Sequence, residues 1–253
     1  MKLAPNEIHL WLAFERELAD ERLLAVCEAM LEPAELERIR RRRTPGLSRQ
    51  ALLTRAVLRS VLSAYAPQVT PGRWRFVTGE HGKPSLAQQF TAHGLHFNLT
   101  HTVGLIAVAL ARMPTLGVDA ENQRTRSPEL ALASRYFTPR ESSELAALPP
   151  AEQPQRFYAL WTLKEAWLKA TGEGLAAGLD TASFSLGTEH RFATVDLARD
   201  DAAHWRFWQL APSPEHVLAL ALRVAPTHPD IQLTVRAVAA ELLRSGEEQR
   251  PQP

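Results

Sequence analysis

The segment that most constrains this chain is FYALWTLKEAWLKATGEGL, at residues 157–175. Its periodicity predicts one amphipathic helix on which Trp161, Glu165 and Lys169 recur every four residues and share one face. Apolar side chains surround that face, and two glycines are placed to end the helix. We expect a carboxylate and an ammonium on such an apolar helix to be partly buried. Taken alone, they also fit an ordinary surface ion pair, which stabilises a helix by about 0.2–0.5 kcal/mol.

Composition indicates a globular protein of one large or two small domains. The chain has 253 residues, of which 45% are hydrophobic and 23% are charged. A net charge of +1 gives no overall field favouring nucleic acid or an anionic membrane. The single cysteine excludes an intramolecular disulfide and a cysteine-based zinc cluster. Because we see neither a bilayer-length apolar run nor a secretory signal, we expect a cytoplasmic protein.

The order of predicted elements indicates an α+β fold. In the first part of the chain we expect a strand at 8–14, helices at 17–31, from 33 and at 47–65, and extended segments at 74–77, 95–99, 104–110 and 116–121. In the second part we expect helix at 127–148 and at 157–175, strands near 182–186, 190–197, 204–211 and 217–224, and a helix at 235–244. The least structured boundary lies near residues 111–115.

Three carboxylates suggest a site for a hard cation. Asp119 and Glu121 lie two residues apart on a predicted strand, so both side chains point to the same face. A solvated strand end would explain this pair equally well. Glu165 adds a third carboxylate from the predicted helix. Three oxygen ligands without a nearby histidine–cysteine set suit Mg²⁺ or Mn²⁺.

Three further stretches carry polar or basic candidates. Thr100 and His101 follow a predicted strand, where the imidazole fits a phosphate contact, a general base or a structural role. Lys83 lies in a turn between glycine and proline, which would hold its ammonium in a defined place, although an exposed lysine in a turn needs no function. Residues 38–43 hold five arginines in six positions, which fits a solvated helix face or a site for a phosphate-rich partner.

Four ordered motifs together resemble the Sfp-type 4′-phosphopantetheinyl transferases. They are GKP at 82–84, FNLTHT at 97–102, GVDAE at 117–121 and the segment at 157–175. The resemblance implies two similar α+β subdomains related by a pseudo-two-fold, with the active site in the cleft between them. We therefore expect subdomains at 1–112 and 113–245, followed by a disordered tail at 246–253.

The resemblance also implies an activity and roles for individual residues. Such an enzyme transfers the phosphopantetheine arm of coenzyme A to a serine of an apo acyl or peptidyl carrier protein, and it releases adenosine 3′,5′-bisphosphate. The implied metal ligands for Mg²⁺ or Mn²⁺ are Asp119, Glu121 and Glu165. The implied coenzyme A contacts are His101 and Lys169 at the pyrophosphate with Thr100 beside them, Lys83 at the nucleotide, and Arg43 or Arg49 at the 3′-phosphate.

The sequence departs from the commonest family pattern at two positions. Thr100 stands where serine is usual, and Ala120 replaces a branched residue. Threonine keeps the hydroxyl, and Ala120 is expected to point away from the site. The sequence leaves open whether Glu165 or a metal-bound water activates the serine.

Two other functions remain compatible with the sequence. One is a non-catalytic module that binds RNA or another polyanion through residues 38–43, with binding sensitive to salt and independent of metal. The other is a different Mg²⁺-dependent nucleotide phosphotransferase. For the transferase we expect a monomer without a nucleic-acid or membrane partner. The motifs do not distinguish carriers of fatty-acid, polyketide or nonribosomal peptide synthesis.

Overall fold

The computed structural model describes residues 1–125, 131–174, 178–198, 200–225 and 230–244. Its α-helices in these ranges are α1 Glu21–Ala29, α2 Pro33–Arg40, α3 Pro45–Tyr65, α4 Ala131–Tyr136, α5 Pro139–Ala146, α6 Gln153–Thr171 and α7 Ala240–Arg244. Its strands are β1 Glu7–Phe14, β2 Phe76–Thr78, β3 Pro84–Leu86, β4 His96–Thr102, β5 Leu105–Ala111, β6 Leu116–Asn122, β7 Ala182–Leu186, β8 Phe192–Leu197, β9 Trp205–Ser213, β10 His216–Arg223 and β11 Gln232–Ala237. None of the helices in these ranges has the length and apolar character to cross a bilayer.

The two larger sheets are mostly antiparallel. The first sheet has the strand order β11-β1-β5-β4 and the second has the order β6-β10-β9. β11 is parallel to β1, whereas the other neighbours in both sheets are antiparallel. Two short pairs, β2 with β3 and β7 with β8, complete the strands. This mixture of helices and antiparallel strands confirms the α+β class.

The last strand joins the first sheet across almost the whole sequence. Val235 in β11 lies opposite Leu10 in β1. The expected helix at 235–244 is therefore wrong in its first half, and the helix begins only at Ala240. Local periodicity misses this strand because its partner lies more than 200 residues earlier in the chain.

Other boundaries differ by shorter distances. The helix expected from residue 17 begins at Glu21, because the carboxylate of Asp20 caps it by accepting from the backbone amide of Arg22 at 3.1 Å. β4 continues through Thr100 and His101, which were expected to follow the strand. Three further expectations fall outside the described residues. They are the start of the helix at 127–130, the end of the central helix at 175 and the tail at 246–253. The division at residue 112 stays a prediction, and β11 places part of the second segment in the first sheet.

Three apolar clusters hold these elements together. One lies between α3 and the first sheet, and a second surrounds α6 and one face of the second sheet. The third joins the remaining faces of the two sheets, through residues such as Leu10, Ala107, Val118 and Leu220. Because side chains alternate along a strand, each sheet contacts its helix with one face and the other sheet with the opposite face.

α6 packs directly on β6 at a glycine. A Cβ atom at Gly117 would lie 1.9 Å from the carbonyl oxygen of Ala166 and 2.5 Å from the amide nitrogen of Ala170. Any side chain at position 117 would push the helix away from the strand. This contact fixes the distance between the helix and the strand that carry the three candidate carboxylates.

We predict that Gly117→Ala destabilises the protein because the methyl group collides with the α6 backbone. Overpacking of this kind costs about 1–3 kcal/mol or more. Gly46→Ala is the control, since its Cβ would meet only Thr44 Oγ1 at 4.0 Å. Chemical denaturation should show a lower free energy of unfolding for Gly117→Ala and no loss for Gly46→Ala. Equal stability of the two variants would contradict the close contact of α6 with β6.

Candidate active site

α6 presents the predicted polar face. Between residues 157 and 170, Trp161, Glu165 and Lys169 are partly exposed and every other residue is buried. The helix begins one turn earlier than predicted and ends at Gly172, whose φ of 77° is readily adopted by glycine. The helical spacing in the sequence therefore predicts correctly which three side chains reach the surface.

A buried ion pair anchors the same helix to α5 and β7. The ammonium of Lys164 lies 2.7 Å from Glu141 Oε2 and donates to the carbonyl oxygens of Leu179 and Ala182. Burial lowers the pKa of Lys164, and the charge of Glu141 opposes that shift. Since breaking such a pair leaves an unpaired charge in the core, the pair holds α6 in position. The capping box that starts α5 identifies Glu141 in the sequence, but nothing local links Glu141 to Lys164.

Lys169 reaches from α6 to β6. Its ammonium lies 2.5 Å from Asp119 Oδ1 and 3.2 Å from Thr100 Oγ1. Thr100 also donates to Asp119 Oδ1 at 3.2 Å, so the three polar side chains form one network. The structure thus pairs Lys169 with Asp119. The surface ion pair considered from the sequence was between Lys169 and Glu165.

The other two carboxylates lie beside this network. Burial raises the pKa of Glu121 to about 7, and the charge of Asp119 adds to the effect. Burial and Asp119 likewise raise the pKa of Glu165 to about 7, whereas Lys169 opposes the shift. The Thr102 hydroxyl donates to Glu121 Oε2 at 3.4 Å. Asp119 is therefore close enough to Glu121 and Glu165 to disfavour their charged forms.

Side chains of β4 connect the edges of the two sheets at this point. Asn98 Oδ1 accepts from the backbone amide of Val118 at 2.8 Å. Thr102 Oγ1 accepts from the amide of Asn122 at 3.1 Å. Asn98 is a positioning residue that the sequence analysis missed, although it lies within the FNLTHT motif. These bonds align Thr100 on β4 with Asp119 on β6.

The chemistry of this site fits a divalent cation, but its ligands are not assembled around one. Within the described ranges, no three histidine, cysteine, aspartate or glutamate side chains converge closely enough to hold a metal ion. Asp119 Oδ2 is nevertheless buried without a hydrogen-bond partner. A buried, unpartnered carboxylate oxygen beside two further carboxylates is the oxygen-only donor set that Mg²⁺ or Mn²⁺ accepts.

A cavity of about 360 Å³ lies beside the C-terminal half of α6, next to Glu165 and Lys169. Its lining includes Lys83, Asn98, Glu165 and Lys169. Lys83 donates to the carbonyl oxygen of Leu116, where β6 begins, and to that of Ala170 in α6. Burial lowers the pKa of Lys83 to about 8. The lysine predicted as a turn residue is thus held between the helix and the strand.

A second cavity of about 550 Å³ adjoins the first. Both cavities share Gly82, Pro84 and Leu99 in their linings. His101 also lines the larger cavity, and its pKa is lowered by partial burial and by the charges of Lys169 and Arg42. The larger cavity is rich in arginines, namely Arg38, Arg42, Arg55, Arg59 and Arg75.

These arginines differ in their partners. Glu35 pairs with Arg59 at 2.7 Å and with Arg55 at 3.5 Å, and Arg75 pairs with Glu32 at 2.6 Å. Within the part of the chain that the structure describes, Arg38 and Arg42 pair with no carboxylate. Their charges are therefore available to an anion in the cavity.

The two arginines named from the sequence lie outside the lining of this cavity. Arg43 is exposed at the end of the arginine run. Arg49 is half-buried, and it donates at 3.5 Å to the carbonyl oxygen of Glu15. Arg38 and Arg42 line the cavity, whereas Arg43 and Arg49 do not.

Comparison with known proteins identifies the family. The pattern of the 4′-phosphopantetheinyl transferase superfamily matches residues 115–221, which include β6 and α6. The chain is 34% identical over 223 residues to the 4′-phosphopantetheinyl transferase HetI of Nostoc sp., covering 88% of this chain and 90% of that protein. It is 29% identical over 218 residues to the 4′-phosphopantetheinyl transferase Sfp of Bacillus subtilis, covering 85% and 90% of the two chains. The chain belongs to the 4′-phosphopantetheinyl transferase superfamily.

We predict that the pair of Lys169 and Asp119 contributes to folding in the absence of any ligand. A double-mutant cycle with Lys169→Met and Asp119→Asn should give a coupling energy of about 1–3 kcal/mol, because the carboxylate is buried and the hydrogen bond is charge-assisted. The exposed pair of Arg41 and Glu37 is the control and should give about 0–1 kcal/mol. Urea denaturation of each variant measures both couplings. Equal coupling in the two cycles would show that Lys169 is only a surface partner.

Proposed function

We propose that this protein transfers the 4′-phosphopantetheine arm of coenzyme A to a serine of an apo acyl or peptidyl carrier protein, releasing adenosine 3′,5′-bisphosphate. The proposal rests on the family and on the arrangement of its charged cavities. Coenzyme A carries a 3′-phosphate on its nucleotide and a pyrophosphate beyond it. The protein offers two groups of cations in adjoining cavities, which suits a ligand with two separated phosphate groups.

The observation that carries the proposal is the site where α6 crosses β6. Three carboxylates, an ammonium and two threonine hydroxyls meet there beside a cavity that Lys83 also lines. A surface helix face does not require this concentration of buried charge. Phosphoryl transfer does require it, because catalysis depends on positioning the reactants and on stabilising the charge of the leaving group.

The residues take distinct roles in this proposal. Asp119, Glu121 and Glu165 would hold Mg²⁺ or Mn²⁺, which would supply charge neutralisation for the pyrophosphate. Lys169 and His101 donate to phosphate oxygens, and Thr100 orients both Lys169 and Asp119. On binding of coenzyme A, Lys169 would exchange its bond with Asp119 for one with phosphate, and the Asp119 carboxylate would then be available to hold the cation.

The nucleotide roles are divided between the two adjoining cavities, with Lys83 in the smaller one and the arginines in the larger one. Lys83 holds the nucleotide portion near the carboxylates, and Arg38 and Arg42 face the 3′-phosphate. Glu165, or a metal-bound water that it would orient, is the candidate base for the serine hydroxyl. The serine approaches from the side opposite the nucleotide.

The architecture suits the two related subdomains expected from the sequence. In each half, one long helix covers one face of a sheet, α3 in the first and α6 in the second. The remaining sheet faces meet in a common apolar cluster. We propose that the pseudo-two-fold relates these two halves, that the active site lies in the cleft between them, and that the protein acts as a monomer.

The direct test is transfer itself. The protein should convert an apo acyl or peptidyl carrier to the holo form in the presence of coenzyme A and Mg²⁺, and mass spectrometry of the carrier should show the addition of one phosphopantetheine arm. Addition of EDTA should stop the reaction. Failure to modify both acyl and peptidyl carriers would contradict the proposed function and would favour another phosphotransferase or a polyanion-binding module.

We predict that Asp119→Ala and Glu165→Ala each abolish transfer while the protein remains folded. Removing a metal ligand should slow the reaction by far more than removing a surface charge, which contributes about 0–1 kcal/mol. Glu144→Ala is the control, because Glu144 is an exposed carboxylate on α5. Steady-state kinetics with circular dichroism check both points. Near-normal turnover by either site variant at modest Mg²⁺ concentration would overturn the ligand assignment.

We predict that Arg38→Ala and Arg42→Ala raise the KM for coenzyme A more than the KM for 3′-dephospho-coenzyme A. A charge-assisted contact is lost only when the substrate carries the partner phosphate. Arg43→Ala is the matched control, since Arg43 belongs to the same arginine run but does not line the cavity. Initial-rate measurements with both substrates separate these effects. If Arg43→Ala instead raises the KM for coenzyme A selectively, the 3′-phosphate contacts Arg43, as the family resemblance implies.

A further inference from the structure

Two buried polar side chains lie where β6 ends and β10 begins. Asn122 is the last residue of β6, and its cross-strand partner His216 is the first residue of β10. Both residues are 4% exposed. Directly opposed residues of an antiparallel pair point to the same face of the sheet. Neither residue touches coenzyme A or the cation in the reaction proposed above, so their burial has another cause.

Both side chains bind the turn between β4 and β5. His216 Nε2 lies 2.9 Å from the carbonyl oxygen of Val103, and Asn122 Nδ2 donates to the same oxygen at 3.0 Å. Because a carbonyl oxygen only accepts, Nε2 carries the hydrogen and donates it. The Ser213 hydroxyl lies 2.8 Å from Nδ1, and in the neutral ring it donates to that nitrogen and fixes the tautomer. Two hydrogen bonds thus hold the turn to the second sheet.

The first half of the protein binds the same turn. Gln50 in α3 donates to the carbonyl oxygen of Thr102 at 2.9 Å and to the carboxylate of Glu15 at 2.6 Å. The backbone amide of Glu15 donates to the carbonyl oxygen of Gly104 at 3.1 Å. The carbonyl oxygens of residues 102, 103 and 104 are therefore all bound, by groups from both halves of the protein. A turn held at each residue has a defined position relative to both sheets.

The turn follows a hydroxyl group that contacts a proposed metal ligand. Thr102 Oγ1 donates to Glu121 Oε2 at 3.4 Å. The backbone amide of Asn122 donates to Thr102 Oγ1 at 3.1 Å, which occupies a lone pair of that oxygen and leaves its single proton for the carboxylate. A distance of 3.4 Å is near the limit of a hydrogen bond, so a small shift of the turn would break it. The position of the turn thus decides whether Glu121 keeps this partner.

We propose that His216 is a positioning residue for the cation site. Together with Asn122 it holds the β4–β5 turn, so that the Thr102 hydroxyl stays on one oxygen of Glu121. The carboxylate then keeps the orientation in which it would hold Mg²⁺ or Mn²⁺. This inference rests on the transferase function and the metal ligands proposed above. Hydrogen-bond partners orient a ligating side chain, and their loss typically weakens metal binding about 10- to 100-fold.

The test compares two replacements of His216. His216→Phe keeps a ring but removes the donor to Val103, whereas His216→Gln keeps an amide that can donate to the same carbonyl oxygen. The dissociation constant of Mn²⁺ is measured in the presence of coenzyme A from the EPR signal of free Mn²⁺, with coenzyme A alone as the blank. It should rise about tenfold or more for His216→Phe and stay within about threefold of the wild-type value for His216→Gln.

Transfer kinetics give a second readout of the same variants. The Mg²⁺ concentration that gives half-maximal transfer should rise for His216→Phe in parallel with the dissociation constant of Mn²⁺. The KM for coenzyme A at saturating Mg²⁺ should stay within about twofold of the wild-type value, since the basic side chains that bind the phosphates are unchanged. A rise in this KM without a change in Mn²⁺ binding would contradict the proposal.

The route through Thr102 predicts a non-additive effect. Thr102→Val removes the hydroxyl with little change of shape and should weaken Mn²⁺ binding about as much as His216→Phe. The double variant should bind Mn²⁺ no more weakly than Thr102→Val alone, because both changes remove the same hydrogen bond. If the two losses multiply, His216 does not act through Thr102 and the proposal is wrong.

A second buried histidine controls for a general loss of stability. His9 in β1 is 3% exposed and bonded to Tyr65, and its partner in β5 is Leu110, remote from the β4–β5 turn. His9→Phe should lower the free energy of unfolding in urea without weakening Mn²⁺ binding. Equal weakening by His9→Phe and His216→Phe, or by the two replacements of His216, would contradict a positioning role.

The remaining outcomes separate this inference from the function on which it rests. If His216→Phe does not fold, Asn122→Leu removes the other donor to Val103 and should weaken Mn²⁺ binding in the same way. If the wild-type protein transfers the arm and the folded variant binds Mn²⁺ normally, the positioning role is wrong while the transferase function stands. Failure of the wild-type protein to bind Mn²⁺ or to transfer would overturn the proposed function itself.

Discussion

The contact between α6 and β6 is the constraint on which the candidate site depends. At Gly117 the helix lies so close to the strand that a single methyl group has no room. The buried pair of Lys164 and Glu141 fixes the same helix from its other side. With the helix held at both places, Glu165 is kept beside the carboxylates of β6. Small changes in this packing would move one group of the site relative to the others, and catalysis is sensitive to such displacements.

This packing concentrates negative charge that the protein does not neutralise completely. Lys169 satisfies one oxygen of Asp119, but the other oxygen is buried without a partner. The raised pKa values of Glu121 and Glu165 have the same origin, since both carboxyl groups are buried near Asp119. In the proposed reaction, a bound cation would offset the negative charge of the carboxylates, and a phosphate group would become the partner of Lys169. The charges of the free protein thus suit a phosphate ligand that binds together with a cation.

Local patterns in the sequence predicted those parts of the structure that depend on neighbouring residues. The four-residue spacing identified the exposed face of α6, and the two-residue spacing placed Asp119 and Glu121 together. Contacts between distant segments were not predictable in this way. The pairing of β11 with β1 and the bond from Lys169 to Asp119 both depend on tertiary packing.

The most direct measurement is a crystal structure of the protein with coenzyme A and Mn²⁺, using anomalous scattering to locate the metal. We predict a manganese peak within coordination distance of Asp119, Glu121 and Glu165, with Lys169 moved from Asp119 to a phosphate oxygen. The 3′-phosphate should lie in the cavity lined by Arg38 and Arg42. A metal bound elsewhere, or a Lys169 that remains on Asp119 while coenzyme A occupies the site, would contradict the proposed roles of these residues.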